Sequence, residues 1–281
     1  MSVQRIGFAF NPTNDAALEL RERAAGWARI RGIDHWAEPA GDTDALLSEL
    51  PTTDALVVLG GDGTFLRAAR AVAEVDVPIL GINLGKVGFL SKVEAHEFEP
   101  VLGQVVAGDF EIEQRMALRG TVLPGGRDGT QESFVALNDV VVARGALARV
   151  CRRDVSIGPS HVATFIADGL IVASPTGSTG YSFSAGGPIV DPTSRNLIVT
   201  PIAGYLSAIR SIVVSPFHVV QCRVIDAHEA LVSIDGREDR HVHVGDVVTV
   251  RAFERTIRFI ELHGRPPFWD LLRQKVELLP S

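Results

Sequence analysis

The sequence predicts an N-terminal α/β domain with a mostly parallel, Rossmann-like sheet, followed by an all-β, sandwich-like C-terminal domain. Three observations predict it. Up to about Ala107, short apolar runs alternate with segments of helical period. Past that point, β-rich segments are separated by turns rich in glycine and aspartate. The chain has 281 residues, 46% of them hydrophobic, enough for one large or two ordinary domains.

Taken in order, "RIGFAFN" reads as a buried strand, and Ala17, Leu20, Ala24, Trp27 and Ala28 then recur at helical spacing. "DALVVLG" is a second strand. Phe65, Ala69 and Val72 repeat as a helix face, and "VPILGIN" is a strand again. Strand and helix in alternation imply crossover connections and a parallel sheet. The later segments "FEIEQRMALRGTVL", "SFVALNDVVVA", "DVSIGPSHVATFIADGLIVAS", "FHVVQCRVIDAHEALVSIDG" and "HVHVGDVVTVRAFERTIRFIEL" are strands joined by turns such as "PGGRDG", "SIDGRED" and "HVGD". "RPPFWDLLRQKVELLPS" reads as a helix with Phe268, Leu272 and Val276 on one face; its packing is not given by the pattern. The expected divisions are 1–108, 109–262 and a C-terminal helical segment 263–281.

Net charge is −7 and no long Lys/Arg block occurs, which argues against a nucleic-acid or anionic-membrane partner. No apolar stretch approaches the roughly 20 residues of a membrane span, and "MSVQRIGFAFNPTND" lacks a secretory core, so a cytoplasmic location is expected. Cys151 and Cys222 stand far apart and are expected to be reduced and buried. His241 and His243 share a strand face without a third ligand, "RVCRRD" from Arg149 reads as a solvated face, and Trp27, Trp36 and Trp269 read as packing residues.

"VVLGGDGTFLRAA" places Asp62 among Gly60, Gly61 and Gly63, after a strand and before a helix. An Asp-Gly hairpin needs a second strand, and the far side here is helical. A phosphate-binding loop of the P-loop kind ends in Gly-Lys-Ser/Thr, and no lysine follows Gly63. The dinucleotide fingerprint starting at Gly61 meets Leu66 where its last glycine belongs. What remains is a helix N-terminus open to phosphate, beside a carboxylate. That carboxylate makes sense if it accepts the proton of an attacking hydroxyl, or if a cation lies between the charges. Either points to phosphoryl transfer onto an alcohol. The Gly-Gly-Asp-Gly turn resembles that shared by NAD kinases, diacylglycerol kinases and phosphofructokinases.

A longer signature follows. "DGLIVASPTGSTGYSFSAGGPIV", Asp168 to Val190, offers the hydroxyls of Ser174, Thr176, Ser178 and Thr179, glycines that let a ligand approach, and Tyr181 as a flat surface for a base; together these suit a nucleoside. With Asn138-Asp139 upstream, "LVSIDGRE" and "PPFWDLLRQK", nearly the whole chain resembles the NAD kinase family.

The resemblance implies transfer of a phosphoryl group from ATP to the 2′-hydroxyl of the adenosine ribose of NAD, with magnesium, by a homodimer or homotetramer. It implies Asp62 as the catalytic carboxylate, and Gly61, Gly63 and Thr64 as the phosphate-proximal turn. Asn138, Asp139, Asp168, Thr176, Ser178, Thr179, Gly180, Tyr181, Ser184 and Asp235 would lie around the dinucleotide. No metal ligand is assigned. The alternatives are a lipid (diacylglycerol-type) or other small-alcohol kinase, and a non-catalytic dinucleotide-sensing protein. Three positions depart from the family's pattern: Asp139 stands where Glu is usual, Gly180 where Ala is usual, and "GYLSAIRS" replaces a Pro-His-Ser-Leu-Ser run, so Tyr205 and Arg210 receive no role.

Overall fold

A computed structural model describes residues 3–85, 88–125, 130–145, 151–204, 209–226, 230–237 and 240–277. It divides into two compact units, Met1–Gln114 with Ile257–Ser281, and Arg115–Thr256.

The first unit contains β1 (Arg5–Phe10), α1 (Asp15–Ile30), β2 (Asp34–Pro39), α2 (Thr43–Glu49), β3 (Ala55–Leu59), α3 (Asp62–Val75), β4 (Ile79–Asn83), the two-residue β5 (Val93–Glu94) and α4 (Phe98–Ala107). Its parallel strands run in the order β4-β3-β1-β2. On the far side of β4, Val93 pairs with Ile82 and Phe259 with Ile79, also in parallel. β3 and β4 are buried at every residue, as expected of strands covered on both faces. The order reverses between β1 and β3, and in such sheets the crevice outside the carboxyl ends of the strands at that point is where ligands bind.

Local chemistry sets the helices. Asn14 caps α1 by accepting the Ala17 N–H at 3.2 Å, Asp15 and Arg29 complement the helix dipole, and the face Ala17, Leu20, Ala24, Trp27, Ala28 is buried. α3 is preceded by Gly61 at its N-cap, with no side-chain hydrogen bond there, and followed by Asp76 at its C-cap in the left-handed region.

The second unit comprises the rest of β6 (Glu111–Leu123), then β7 (Glu132–Ala136), β8 (Asp139–Arg144), β9 (Cys151–Ile157), β10 (Ser160–Ala167), β11 (Gly169–Ala173), the single-turn α5 (Tyr181–Ser184), β12 (Leu197–Ile202), β13 (Ile212–Val214), β14 (Val220–Asp226), β15 (Ala230–Ile234), β16 (Arg240–Val242) and most of β17 (Val247–Glu261). One antiparallel sheet has the order β13-β12-β11-β8-β15-β16. Its inner residues Val140, Val142, Leu170, Val172 and Val199 share a core with Met116, Val155, Cys222 and Val250 of the other strands, which makes a sandwich. Val141, Ile171 and Ile198, one residue out of phase, form a separate cluster on the opposite face.

The fold adds to the sequence reading and corrects it in places. β2 and α2 carry no strong local signal; α4 carries one, with Phe98, Val101, Leu102 and Val105 buried at helical spacing and Gly108 closing the helix in the left-handed region, and is an addition to the sequence expectation. The last helix, α6 (Phe268–Glu277), belongs to the first unit; Leu271 is its buried residue, Phe268 and Leu272 of the expected face are half-buried, and the Val276 side chain lies outside the described residues. Trp27 and Trp36 are packed as expected, whereas Trp269 is 51% exposed. Both cysteines are free and buried, and burial pushes the Cys222 thiol up to about 12. Tyr205 and Arg149 lie outside the described residues, but the rest of "RVCRRD" is not a solvated face: in β9 Cys151 and Arg153 are buried, and the Arg153 guanidinium donates to the Ala167 carbonyl at 3.0 Å.

Gly81 in β4 lies tight against the chain that follows the strand and against α3: a Cβ there would meet the Ser91 Cα at 2.8 Å and the Phe65 ring at 2.9 Å. Gly81→Ala is therefore expected to lower stability by about 1–3 kcal/mol through overpacking, read as a lower urea midpoint at unchanged slope.

Candidate active site

In the first unit, β3 runs directly into the glycine turn. Gly60 has φ +156°, and a Cβ on it would lie 2.6 Å from Thr64 Oγ1, so only glycine fits. The Gly61 carbonyl accepts the N–H groups of Thr64 at 2.8 Å and Phe65 at 3.1 Å, which starts α3 with Asp62 as its first residue and Gly63 as its second. With no side chain capping the helix, its first N–H groups suit a phosphate.

The Asp62 carboxylate turns to the chain after β4. Oδ2 accepts the Phe89 N–H at 3.0 Å, and Oδ1 accepts those of Leu90 at 3.2 Å and Ser91 at 3.1 Å. Gly88 makes this approach possible, since a Cβ on it would fall 1.9 Å from Oδ1. An ionised carboxylate has about four lone-pair positions, so these three bonds leave one, on Oδ2. Asn83, at the end of β4, accepts the Gly85 N–H at 2.9 Å and its Oδ1 would lie 3.9 Å from a Cβ on Gly61. Sequence reasoning passed over Asn83 and residues 88–91; the glycines of "LGINLGKVGFLSK" were the available signal.

In the second unit, "SIDG" makes the β15–β16 hairpin. Asp235 (φ +51°) and Gly236 (φ +71°) are both left-handed, and the Arg237 N–H reaches the Ile234 carbonyl at 3.2 Å. Asp235 is buried and accepts three backbone N–H groups, from Leu137 at 3.1 Å, Asn138 at 2.7 Å and Asp139 at 3.2 Å. The turn entering β8 is thereby fixed. The turn leaving β11 packs on it: a Cβ on Gly177 would sit 2.1 Å from the Asn138 carbonyl oxygen, and Ser174 Oγ donates to the Leu137 carbonyl at 2.5 Å.

Around these turns lies a pocket of about 340 Å³ lined by Asn138, Asp139, Gly180, Tyr181 and Asp235 among others. Tyr181 begins α5 and is 47% exposed. Asn138 Oδ1 and Thr176 Oγ1 are buried without a hydrogen-bond partner among the described residues, which calls for a polar ligand. Gly180 leaves room beside Asp139; a Cβ on it would be 3.9 Å from Oδ2.

Other predicted residues are placed differently. Ser178 spends its hydroxyl on Val190, donating to the carbonyl at 3.2 Å and accepting the N–H at 3.1 Å. Asp168 precedes β11, at the opposite end of that strand from Thr176, and pairs with Arg144 at 3.1 Å. Thr179 is half-buried at the end of the turn, and Ser184 is exposed one helical turn after Tyr181.

Burial raises the Asp139 carboxyl to about 7, with repulsion from Asp235 adding to the shift. Near neutral pH this group is partly protonated and can donate a hydrogen bond as well as accept one.

An uncapped helix carrying a held carboxylate, in an α/β unit, and a nucleoside-sized, mostly apolar pocket with a few polar groups in a β-sandwich define a phosphotransferase acting on a nucleotide. Comparison with known proteins narrows the class. The family models for the ATP-NAD kinase N-terminal domain and the ATP-NAD kinase C-terminal domain match residues 29–110 and 137–262. An NAD kinase of Heliobacterium modesticaldum is 39% identical, covering 97% of this chain and 98% of its own, and one of Dehalococcoides mccartyi is 38% identical, covering 98% and 96%. The chain belongs to the NAD kinase family. Yeast NADH kinase, solved with NADH, shares the fold with a TM-score of 0.86 at 21% identity, over 100% of this chain and 89% of its own. An NAD kinase from Archaeoglobus fulgidus, solved with ATP, gives 0.77 at 26% identity, over 98% and 100%.

Asp139 yields a pH prediction. Its carboxyl is held at about 7 in the fold against a usual value of 3.8, so the native state binds the extra proton and the contribution is fully present below the usual value. It is lost as pH rises through about 7, by at most about 4 kcal/mol. Asp139→Asn should therefore be more stable than the parent at pH 8, with the gap closing toward pH 4 in chemical denaturation.

Proposed function

We propose that this chain transfers the γ-phosphoryl group of ATP to the 2′-hydroxyl of the adenosine ribose of NAD, giving NADP and ADP. The observation that carries the reading is the single open lone pair of Asp62, on a carboxylate fixed by three backbone amides at a helix N-terminus suited to phosphate. In the reaction the ribose oxygen forms a bond to the γ-phosphorus, the bond from that phosphorus to the bridging oxygen breaks, and ADP leaves. Asp62 Oδ2 receives or orients the proton of the attacking hydroxyl. Asn138, Thr176 and Asp139 hold hydroxyl and amide groups of the dinucleotide, and Tyr181 stacks on a base. Ser178 and Asp235 shape the turns instead of touching the ligand.

Magnesium fits this donor set in one way. Among the described residues no group of three His, Cys, Asp or Glu side chains could cage an ion. One open carboxylate position suits a cation carried chiefly by phosphates and water. Bound with ATP, it supplies the charge neutralisation that a turn without lysine lacks.

A lipid kinase sharing only the first turn would leave the match over residues 137–262 without a purpose. A dinucleotide sensor gains nothing from a carboxylate facing phosphate. The family resemblance supports a cytoplasmic homodimer or homotetramer.

The test uses purified chain, magnesium, ATP, and NAD, NADH or diacylglycerol in turn, with the product identified by mass. Asp62→Asn should lower kcat by about 10²- to 10⁴-fold while KM for NAD changes less than about tenfold. Rescue by excess magnesium would assign Asp62 to the metal; no rescue would assign it to the proton. Parent-rate turnover by Asp62→Asn would overturn the mechanism.

Tyr181→Ala should weaken NAD binding by about 1–3 kcal/mol, the range of base–aromatic stacking. Isothermal titration with NAD reads this directly, and an unchanged affinity would remove Tyr181 from the base site.

A further inference from the structure

We propose that Phe268, the first residue of α6, is a positioning residue for Asp62 that acts through Phe89. This rests on the phosphoryl-transfer reading and deepens it. The N–H of Phe89 is the donor that holds Asp62 Oδ2, the oxygen with the open lone pair. The side chain of the same residue is gripped by α6: its ring centroid lies 5.8 Å from that of Phe268, and Lys275 Nζ stands 5.0 Å from the ring. Phe268 in turn is braced edge-on by Trp269 at 5.0 Å. α6 is seated by the buried Leu271, and the N–H groups of Asp270 and Leu271 return to the Pro267 carbonyl at 3.1 and 3.2 Å.

Residues 88–91 form no helix or strand, so the Phe89 N–H has no ladder to fix it. Its direction depends on what holds the Phe89 ring. Ring and N–H belong to one residue, so a shift of the ring is passed to the bond on Oδ2. Misplacing a reacting group by about 1 Å costs on the order of 100-fold in rate, while binding of a substrate held elsewhere is spared. The half-exposed Trp269, unexplained as a core residue, finds its use here as the brace behind Phe268.

The experiment measures kcat and KM for NAD in the full-length chain with ATP and magnesium, for Phe268→Ala, Phe268→Tyr, Asp62→Asn and Phe268→Ala combined with Asp62→Asn. Phe268→Ala should lower kcat by about 10- to 100-fold with KM for NAD within about threefold. Phe268→Tyr, which keeps the ring, should restore the parent kcat. In the Asp62→Asn background, Phe268→Ala should change kcat by less than about threefold, because the group it positions is already disabled. A role in general stability predicts the same loss in both backgrounds, and that result would overturn the proposal. So would parent kcat in Phe268→Ala, or an unrescued Phe268→Tyr. Should Phe268→Ala fail to fold, Lys275→Ala on the surface of α6 carries the test: a kcat lowered about 2- to 5-fold, again absent in the Asp62→Asn background, supports the proposal and an unchanged kcat overturns it. Parent-rate turnover by Asp62→Asn would remove the phosphoryl-transfer reading itself. An impaired Asp62→Asn beside an unimpaired Phe268→Ala would remove only the positioning role.

Discussion

A buried or half-buried carboxylate that accepts three consecutive backbone N–H groups is the interaction on which the candidate site residues of each unit depend. Asp62 does this to residues 89–91, and Asp235 does it to residues 137–139. Hydrogen bonds to an ionised group are worth about 1.5–3 kcal/mol each, roughly twice a neutral one. They order residues 89–91, which have no ladder of their own, and the turn that leads into β8. Glycine makes the close approach possible on each side: Gly88 leaves space for the Asp62 carboxylate, and Gly177 lets one turn lie against the carbonyl of the other. In each case the bonds fix the direction of a backbone segment next to the candidate site residues.

The two aspartates also show what a sequence makes legible. Both stand in an Asp-Gly dipeptide. Flanking period decides between them: apolar residues at helical spacing follow Asp62, and alternating strand residues precede Asp235, so helix start and hairpin were readable from local pattern. The fully buried strands and the face of α1 were readable for the same reason. The hydrogen-bond partners were not. Asp62 reaches 27 to 29 residues along the chain and Asp235 reaches back 96 to 98, and no local period encodes such a pairing. Ser178 is a related case, because a hydroxyl in a Ser/Thr/Gly turn looks the same in sequence whether it meets a ligand or, as here, the backbone of Val190. β2 and α2 escaped notice because Asp34–Pro39 is only partly buried and Thr43–Glu49 is too short for a clear period.

Asp139 and Asp235 divide an acidic corner between them. Asp235 is committed to the backbone, so its position is set before any ligand arrives. Asp139 is left buried beside it, and that burial, with the repulsion of Asp235, raises its carboxyl to about 7. The shorter Asp side chain and the missing methyl at Gly180 act in the same direction, enlarging the space beside the carboxyl.

The first unit is discontinuous, closed by residues 257–281. A ribosome makes its first 114 residues early but delivers the strand residue that pairs with Ile79, and the helix that grips Phe89, only after all of residues 115–256. Until then the outer edge of β4 lacks its Phe259 partner, the kind of edge that invites pairing with other chains. The second unit, contiguous in sequence, has everything it needs to fold while the first waits. The part of the enzyme that emerges first is therefore the last to be finished, and a nascent chain stalled short of its final turns would carry an assembled sandwich beside an open sheet.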